Sequence, residues 1–258
     1  MNIPVYLYAW ISLDTSRTPQ VLGWGSGSWQ AVERPTTKAA NLACDAAQAL
    51  MAGVAPTLRD GSGLFIGTTT GSLHDDIIFD NSRTTDGGQY PSPNAFRRTL
   101  PSTIATELTM DLGLHGPVVV YAAGAASAVV ACVRGAEYIR RGMVPLAIVG
   151  GIEVWNEAIP GGIAPAHVSA DAAITAQPQV SPERCQMVLA CIGPAELPGA
   201  PRPMSEFTQA RLGGSNIHSP TTVNCRLQPL VDFLVAGQGQ LVVDGAVGIK
   251  AWLELQRR

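Results

Sequence analysis

Gly116-Pro117-Val118-Val119-Val120-Tyr121-Ala122-Ala123-Gly124-Ala125-Ala126-Ser127-Ala128, followed through to Ile148-Val149-Gly150-Gly151, decides the fold of this chain. Val118 to Ala122 is an apolar run without polar alternation. That pattern predicts a strand buried on both faces. The run stops in a cluster of small residues and passes into a helical pattern from Ala126 to Arg141, closed by Gly142. A second apolar strand, Pro145 to Val149, runs into the double glycine. Strand, helix and strand in units of this length predict an α/β fold on a mainly parallel sheet.

Outward from this core, Leu64 to Ile66 reads as a short buried strand and Val5 to Leu13 as the first strand. Pro35 to Ala52 reads as a helix, with proline near its start and Gly53 past its end. Its Ala43, Ala46, Ala47 and Leu50 share one face and allow close packing. Thr103 to Leu112 is a further helix. Gly23-Trp24-Gly25-Ser26-Gly27-Ser28-Trp29 reads as a loop, since no strand-to-helix context makes it a phosphate cradle. Asp80 to Pro93 reads as a polar loop. Beyond Trp155 the pattern weakens. Ile159 to Pro182 reads as irregular, Met187 to Ile192 as a strand, and Pro198 to Ser219 as loop plus a short helix. Gln240 to Val243 and Ile249 to Leu255 read as a terminal β pair turning at Asp244-Gly245.

The 258 residues suffice for a single large α/β domain, 1–258. Hydrophobic residues make up 46% and charged residues 14%, a low charge density that points to surface buried against a partner. A net charge of −3 gives no electrostatic footprint for nucleic acid. No apolar run reaches 18 residues, so no membrane span is expected. Met1-Asn2-Ile3-Pro4 has neither the basic region nor the apolar core of a secretory signal. Cys44, Cys132, Cys185, Cys191 and Cys225 are an odd, scattered set that fits reduced thiols and a cytoplasmic location.

The order of these pieces resembles the β-ketoacyl synthases of the thiolase superfamily. Their common form is a Gly-Pro, a strand, a Thr-Ala-Cys-Ser/Ala-Ser turn, a helix ending at glycine, and a strand ending in Ala-Gly-Gly. Ala123-Gly124-Ala125-Ala126-Ser127 is similar to that turn without a gap from Gly116. Phe96-Arg97-Arg98-Thr99-Leu100-Pro101-Ser102 through Leu112-Gly113-Leu114 is similar to the segment before the Gly-Pro. Leu64-Phe65-Ile66-Gly67-Thr68-Thr69-Thr70-Gly71 is similar to the family's earlier glycine-rich strand end. The resemblance covers residues 63–153 best. It implies a thiolase-like layered fold whose N-terminal half is of ketosynthase type.

Where the family has its cysteine nucleophile, this chain has Ala125. Active members pair that cysteine with two histidines from a second half. Of His74, His115, His167 and His218, none stands in those contexts, and the sequence ends at Arg258, so an abbreviated second half is expected. Residues 185–258 or a partner would have to supply the cover that a sheet layer needs. Loss of both nucleophile and base resembles chain-length factors, the silent partners of type II synthases, and in length the truncated factor of bacterial aryl polyene systems. The resemblance implies no catalytic residue in this chain, no cofactor and no metal. It implies a catalytic ketosynthase subunit as heterodimer partner and an acyl carrier protein. By the same resemblance Val118, Val119, Val120, Tyr121 and Ala122 form the dimer-interface strand. Thr70, with Leu73 and Ile77 at helical spacing after it, is then the gate at the end of the acyl chain.

Other candidates have plainer readings. Cys132 lies seven residues past Ala125, on nearly the same helix face but about 10 Å deeper, and reads as a core cysteine. Ser127 reads as a capping or packing residue. His74-Asp75-Asp76 with Asp80 is the most metal-like cluster, yet no second His/Asp pair stands at telling spacing, and it reads as a solvated or interface-lining acidic turn. Arg97-Arg98 and Arg140-Arg141 offer charge complementarity to an acidic carrier protein, or are plain surface pairs. The competing reading is a stand-alone acyltransferase or hydrolase that uses Ser127, Cys185 or His167. The absence of a Gly-x-Ser-x-Gly elbow counts against it. A structural relic would leave the same traces.

Overall fold

In the computed structural model, described for residues 3–14, 20–23, 32, 34, 36–84, 90–155, 184–195, 197, 203–214, 227–244 and 249–257, nine strands form one sheet. The strands are β1 (Tyr6–Asp14), β2 (Gln20–Gly23), β3 (Gly63–Gly67), β4 (Val118–Tyr121), β5 (Ala147–Trp155), β6 (Arg184–Gly193), β7 (Ser205–Gly214), β8 (Gly239–Asp244) and β9 (Ile249–Arg257). The helices are α1 (Lys38–Met51), α2 (Pro56–Asp60), α3 (Leu73–Thr84), α4 (Pro93–Phe96), α5 (Thr103–Leu112), α6 (Ser127–Arg140) and α7 (Gln228–Ala236). The sheet order is β4-β3-β5-β6-β1-β7-β9-β8, with β2 paired to β1.

The α/β class is as expected, but the sheet is mixed rather than mainly parallel. Only β4, β3 and β5 run parallel; β6, β1, β7, β9 and β8 continue antiparallel. The parallel part is the strand–helix–strand unit that the sequence displays. The antiparallel part joins strands whose pairing no local pattern encodes.

Each face of the sheet carries its own core. On one face α1 and α5 pack through Ala43, Cys44, Ala47, Leu50 and Leu108 against Leu64, Ile66, Ile148 and Leu189. On the other lie α6 and α7 with Phe65, Val149, Val188 and Ile192. β1 serves both. Val5 and Leu7 face α6, Tyr6 and Tyr8 face α1, and a bulge between Leu7 and Ala9 then flips the phase, so that Ala9, Ile11 and Leu13 face α1.

α6 is buried on all sides over its first two turns, Ser127 to Val133 without interruption. A helix apolar all round needs cover on every side. One sheet provides it: α6 touches β3 and β5 on one side and β7 and β9 on the other. Five strand steps separate β3 from β9, roughly 24 Å if flat, about twice the width of a helix. The sheet therefore curls around α6, and β7, β9 and α7 close it over. The cover that the sheet layer needs comes from this antiparallel extension.

Several boundaries differ from expectation. α1 starts at Lys38, where the Thr37 side chain accepts from the Ala40 amide, rather than at Pro35, which lies outside the described residues. β5 does not stop at the double glycine but runs on to Trp155. α3 extends through Thr84 into the stretch read as loop, and α4 takes its end; 85–89 lie outside the described residues. The largest error is 198–219, read as loop plus helix. It contains strand β7, whose bulge between Phe207 and Gln209 breaks the alternation that would have revealed it. β4 is not buried on both faces. It is the edge strand, and Val118 is 42% exposed. The terminal pair β8/β9 stands as read, its connecting turn at 245–248 lying outside the described residues. Of the loop read at 23–29, Gly23 instead ends strand β2, and 24–29 lie outside the described residues, as does 159–182.

Candidate functional site

The elbow between β4 and α6 is built from residues too small to do anything but pack. Gly124 takes a left-handed φ of 60°, which suits glycine. The Gly124 carbonyl accepts three hydrogen bonds: from the Ser127 amide at 3.0 Å, the Ser127 hydroxyl at 2.6 Å and the Thr69 hydroxyl at 2.9 Å. The Ser127 Oγ also accepts from the Ala123 amide at 2.8 Å. Gly67, at the end of β3, lies against this turn so closely that a Cβ there would sit 2.1 Å from the Ser127 carbonyl carbon. Ser127 is thus the packing residue that was expected, fully buried and bonded on both sides.

Ala125 stands just before the N-terminus of α6, where the helix dipole would lower the pKa of a thiol. Its methyl group lines a cleft of about 260 Å³ with Ala128 and Val129 of α6, Leu227, Pro229 and Leu230 at the start of α7, and Leu241 to Asp244 of β8. The one charged side chain in this lining, Asp244, lies 3.4 Å from Lys250. No described histidine enters the cleft. His74 is buried in α3, and His115 is exposed and lies beside Asp60. His167 and His218 lie outside the described residues. Cys132 is buried deeper in α6, and burial pushes its thiol up to about 12, which leaves no thiolate to attack. Cys185 is likewise fully buried.

A second constellation sits beside the elbow and was missed in the sequence. Glu153, 1% exposed, accepts from the Thr69 amide at 2.6 Å, the Thr70 amide at 3.0 Å and the Thr70 hydroxyl at 2.8 Å. A longer contact to the Thr68 hydroxyl measures 3.4 Å. Burial raises the Glu153 pKa above the usual glutamate value, and the donors of Thr70 and Thr69 pull it back in part. The available signal was a lone carboxylate inside an apolar strand two residues past the double glycine, opposite three consecutive threonines.

The expected gate residues are brought together here. The Thr70 hydroxyl turns inward to Glu153, Leu73 is 41% exposed at the start of α3, and Ile77 is half-buried one turn on. Phe96 and Leu100 are also exposed, and the Phe96 ring packs at 5.3 Å, tilted by 55°, against Phe79 of α3. The acidic cluster of α3 does not converge: Asp76 accepts from Ser72, Asp80 pairs with Arg83, and His74 is buried. Arg140 is no docking cation. It donates to the Phe207 and Ala210 carbonyls and ties α6 to β7.

Residues 34–172, more than half of the chain, match the sequence model of the β-ketoacyl synthase N-terminal domain. The chain belongs to the β-ketoacyl synthase family. The match extends on both sides of the stretch 63–153 where the resemblance was plainest. Solved structures agree on the thiolase-like ketosynthase fold. A chain of the ishigamide ketosynthase/chain length factor matches with a TM-score of 0.65 at 12% identity, over 98% of this chain and 99% of that one. A chain of the ketosynthase ApeO in complex with its chain length factor ApeC, from Xenorhabdus doucetiae, matches with a TM-score of 0.55 at 14% identity, over 96% and 99%. The type II polyketide complex AntDE:AntF, a carrier protein with its ketosynthase bound to the hexaketide, matches with a TM-score of 0.58 at 15% identity; this chain covers 65% of that one. No curated protein sequence matches the chain significantly. No described helix is long and apolar enough to cross a membrane.

Proposed function

We propose that this chain is the non-catalytic, chain-length-determining subunit of a heterodimeric type II β-ketoacyl carrier-protein synthase. Such a pair would work in polyketide, aryl polyene or fatty-acid-like biosynthesis in the cytoplasm. One observation carries the reading: the strand–elbow–helix arrangement is present between β4 and α6, with Ala123-Gly124-Ala125 where the family has Thr-Ala-Cys, and its reactive position is a methyl group in a cleft without a described imidazole. Condensation needs a thiolate and groups that stabilise the charge developed on decarboxylation. Neither is supplied by the described residues of this chain, so both are assigned to a catalytic partner.

The surface supports a partner. Among the described residues β4 is an apolar edge strand, with Val118 exposed and Val119, Val120 and Tyr121 half-buried, and Ala122 exposed beyond it. The Leu64 amide donates to the Pro117 carbonyl and the Thr68 amide to the Tyr121 carbonyl, so by alternation the backbone groups of Val118 and Val120 point outward. An open edge is a template for another strand. Thr70, Leu73 and Ile77 leave the sheet at the C-terminal end of the same edge. There they reach the end of an acyl chain held in the partner. An acyl carrier protein delivers the substrate to the pair. That two of the similar structures are ketosynthase/chain-length-factor assemblies adds to this reading. A stand-alone enzyme using Ser127 or Cys185 is disfavoured by their full burial.

Coexpression with a full-length ketosynthase from the same genome tests the proposal. A stable one-to-one complex that condenses malonyl-loaded carrier protein, with no condensation from this chain alone, is the expected result. A monomer that ignores that ketosynthase, or condensation by the chain alone, overturns it.

A further inference from the structure

β3 and β5 run in parallel register as far as Gly67 opposite Gly151. There β3 ends, while β5 continues through Glu153 to Trp155. The amides of Thr69 and Thr70 have left the ladder and need other acceptors. Both find the two oxygens of the Glu153 carboxylate, Oε1 for Thr69 and Oε2 for Thr70, and the Thr70 hydroxyl joins at Oε2. One side chain thus takes over from a strand at the point where the chain turns out of the sheet. The turn is braced internally, because the Gly71 amide donates to the Thr68 hydroxyl, and Thr69 ties it across to Gly124 of the elbow. α3 grows directly from it: the Leu73 amide donates to the Thr70 carbonyl. Any displacement of Thr70 is carried into Leu73 and, one turn later, Ile77.

We propose that Glu153 is the positioning residue of the acyl gate: by fastening the Thr69–Thr70 turn it sets how far Thr70, Leu73 and Ile77 project toward the partner, and through them the length at which the product is released. This rests on the reading of those residues as a gate. Glu153 touches neither substrate nor reacting atoms and acts through the turn alone. Hydrogen bonds from backbone amides to a carboxylate hold more firmly than neutral ones, so a carboxamide, which can accept at one atom only, loosens the turn.

The test is Glu153→Gln in the purified complex with its ketosynthase, read in two ways. Hydrogen exchange at the Thr69 and Thr70 amides is expected to speed up by roughly tenfold to a hundredfold, as befits loss of a hydrogen bond to a charged group. Product lengths by mass spectrometry are expected to broaden toward longer chains while the first condensation keeps its rate. Unchanged exchange overturns the anchoring role. Faster exchange with unchanged product lengths overturns the gate itself, and with it the assignment of Glu153 to length control. Thr70→Val, which keeps the gate's volume and removes one bond to Glu153, gives the same two readouts if Glu153→Gln yields no complex. A narrower or unaltered product range with that variant likewise overturns the proposal.

Discussion

α6 and α3 leave the same end of the sheet and have opposite fates. Of the fourteen residues of α6, ten are buried; of the twelve of α3, only His74 is. α6 holds the place where the family does its chemistry, and here that place is closed by methyl groups and pinned by three bonds on one carbonyl. α3, the segment through α4 to Leu100 and the β4 edge hold apolar side chains out to solvent, Leu73, Phe96, Leu100 and Val118 among them. An isolated chain gains nothing from exposing them. On the proposed reading, the position of the family's nucleophile serves as scaffold and the surface beside it is the working part.

The sharpest way to break that comparison is to spoil the edge. Val118→Lys places a charge where a partner strand is to lie. Burying it unpaired is expected to cost about 3–5 kcal/mol, a loss of more than a hundredfold in affinity for the ketosynthase. Size-exclusion chromatography of the coexpressed pair reads this directly, and an intact complex would remove β4 from the interface. The fold itself should survive, since Val118 is exposed in the chain alone.

Next in size are changes to the gate. Thr70→Phe adds volume where acyl carbons are to end, and overpacking costs roughly 1–3 kcal/mol. That shifts elongation against release by about tenfold, so products shorten while the first condensations persist. Leu73→Ala should lengthen them. Unchanged lengths for both variants in an intact dimer would place the gate in the partner.

How legible this was in the sequence follows the same division. The elbow, α6 and the first half of β5 were readable because small residues, a terminal glycine and an apolar run lie side by side in the chain. The burial of β4 on both faces was misread, because an apolar run has the same pattern whether its strand lies at the edge of a sheet or inside it. β7 was missed because a bulge at Phe207 shifts its alternation, and α7 although Pro229 and Gly237 mark its ends. Glu153 was invisible as a site because its partners, Thr68 to Thr70, are joined to it only by the pairing of β3 with β5.

A smaller effect separates the buried carboxylate from the exposed acids. Burial raises the Glu153 pKa above 4.5, the donors of Thr70 and Thr69 offsetting part of the rise. A carboxyl that binds its proton more tightly when folded contributes stability that is full below the unfolded value and is lost as pH climbs through the folded one. Relative to Glu153→Gln, which does not titrate, the native chain should therefore lose thermal stability as pH rises from 4.5. Melting curves of both proteins across that range check the sign. A constant gap between them would mean that Glu153 titrates in the fold as it does unfolded.

The smallest expected effect is none, and it tests the silent half of the comparison. Ala125→Cys puts a thiol at the N-terminus of α6, where the helix dipole favours the thiolate. The variant should therefore react with iodoacetamide at that position well before Cys132, whose thiol is pushed up to about 12 by burial. It should still not condense. The cleft around residue 125 offers aliphatic walls and a carboxylate already beside Lys250, and none of these stabilises the charge that decarboxylation creates. The assay uses the heterodimer with the ketosynthase's own cysteine replaced, so that any turnover belongs to the new thiol. Fast alkylation without turnover separates a restored nucleophile from a restored active site and leaves this subunit silent. Turnover would show that a charge-stabilising group reaches Ala125 after all, and would end the division between a scaffold elbow and a working surface.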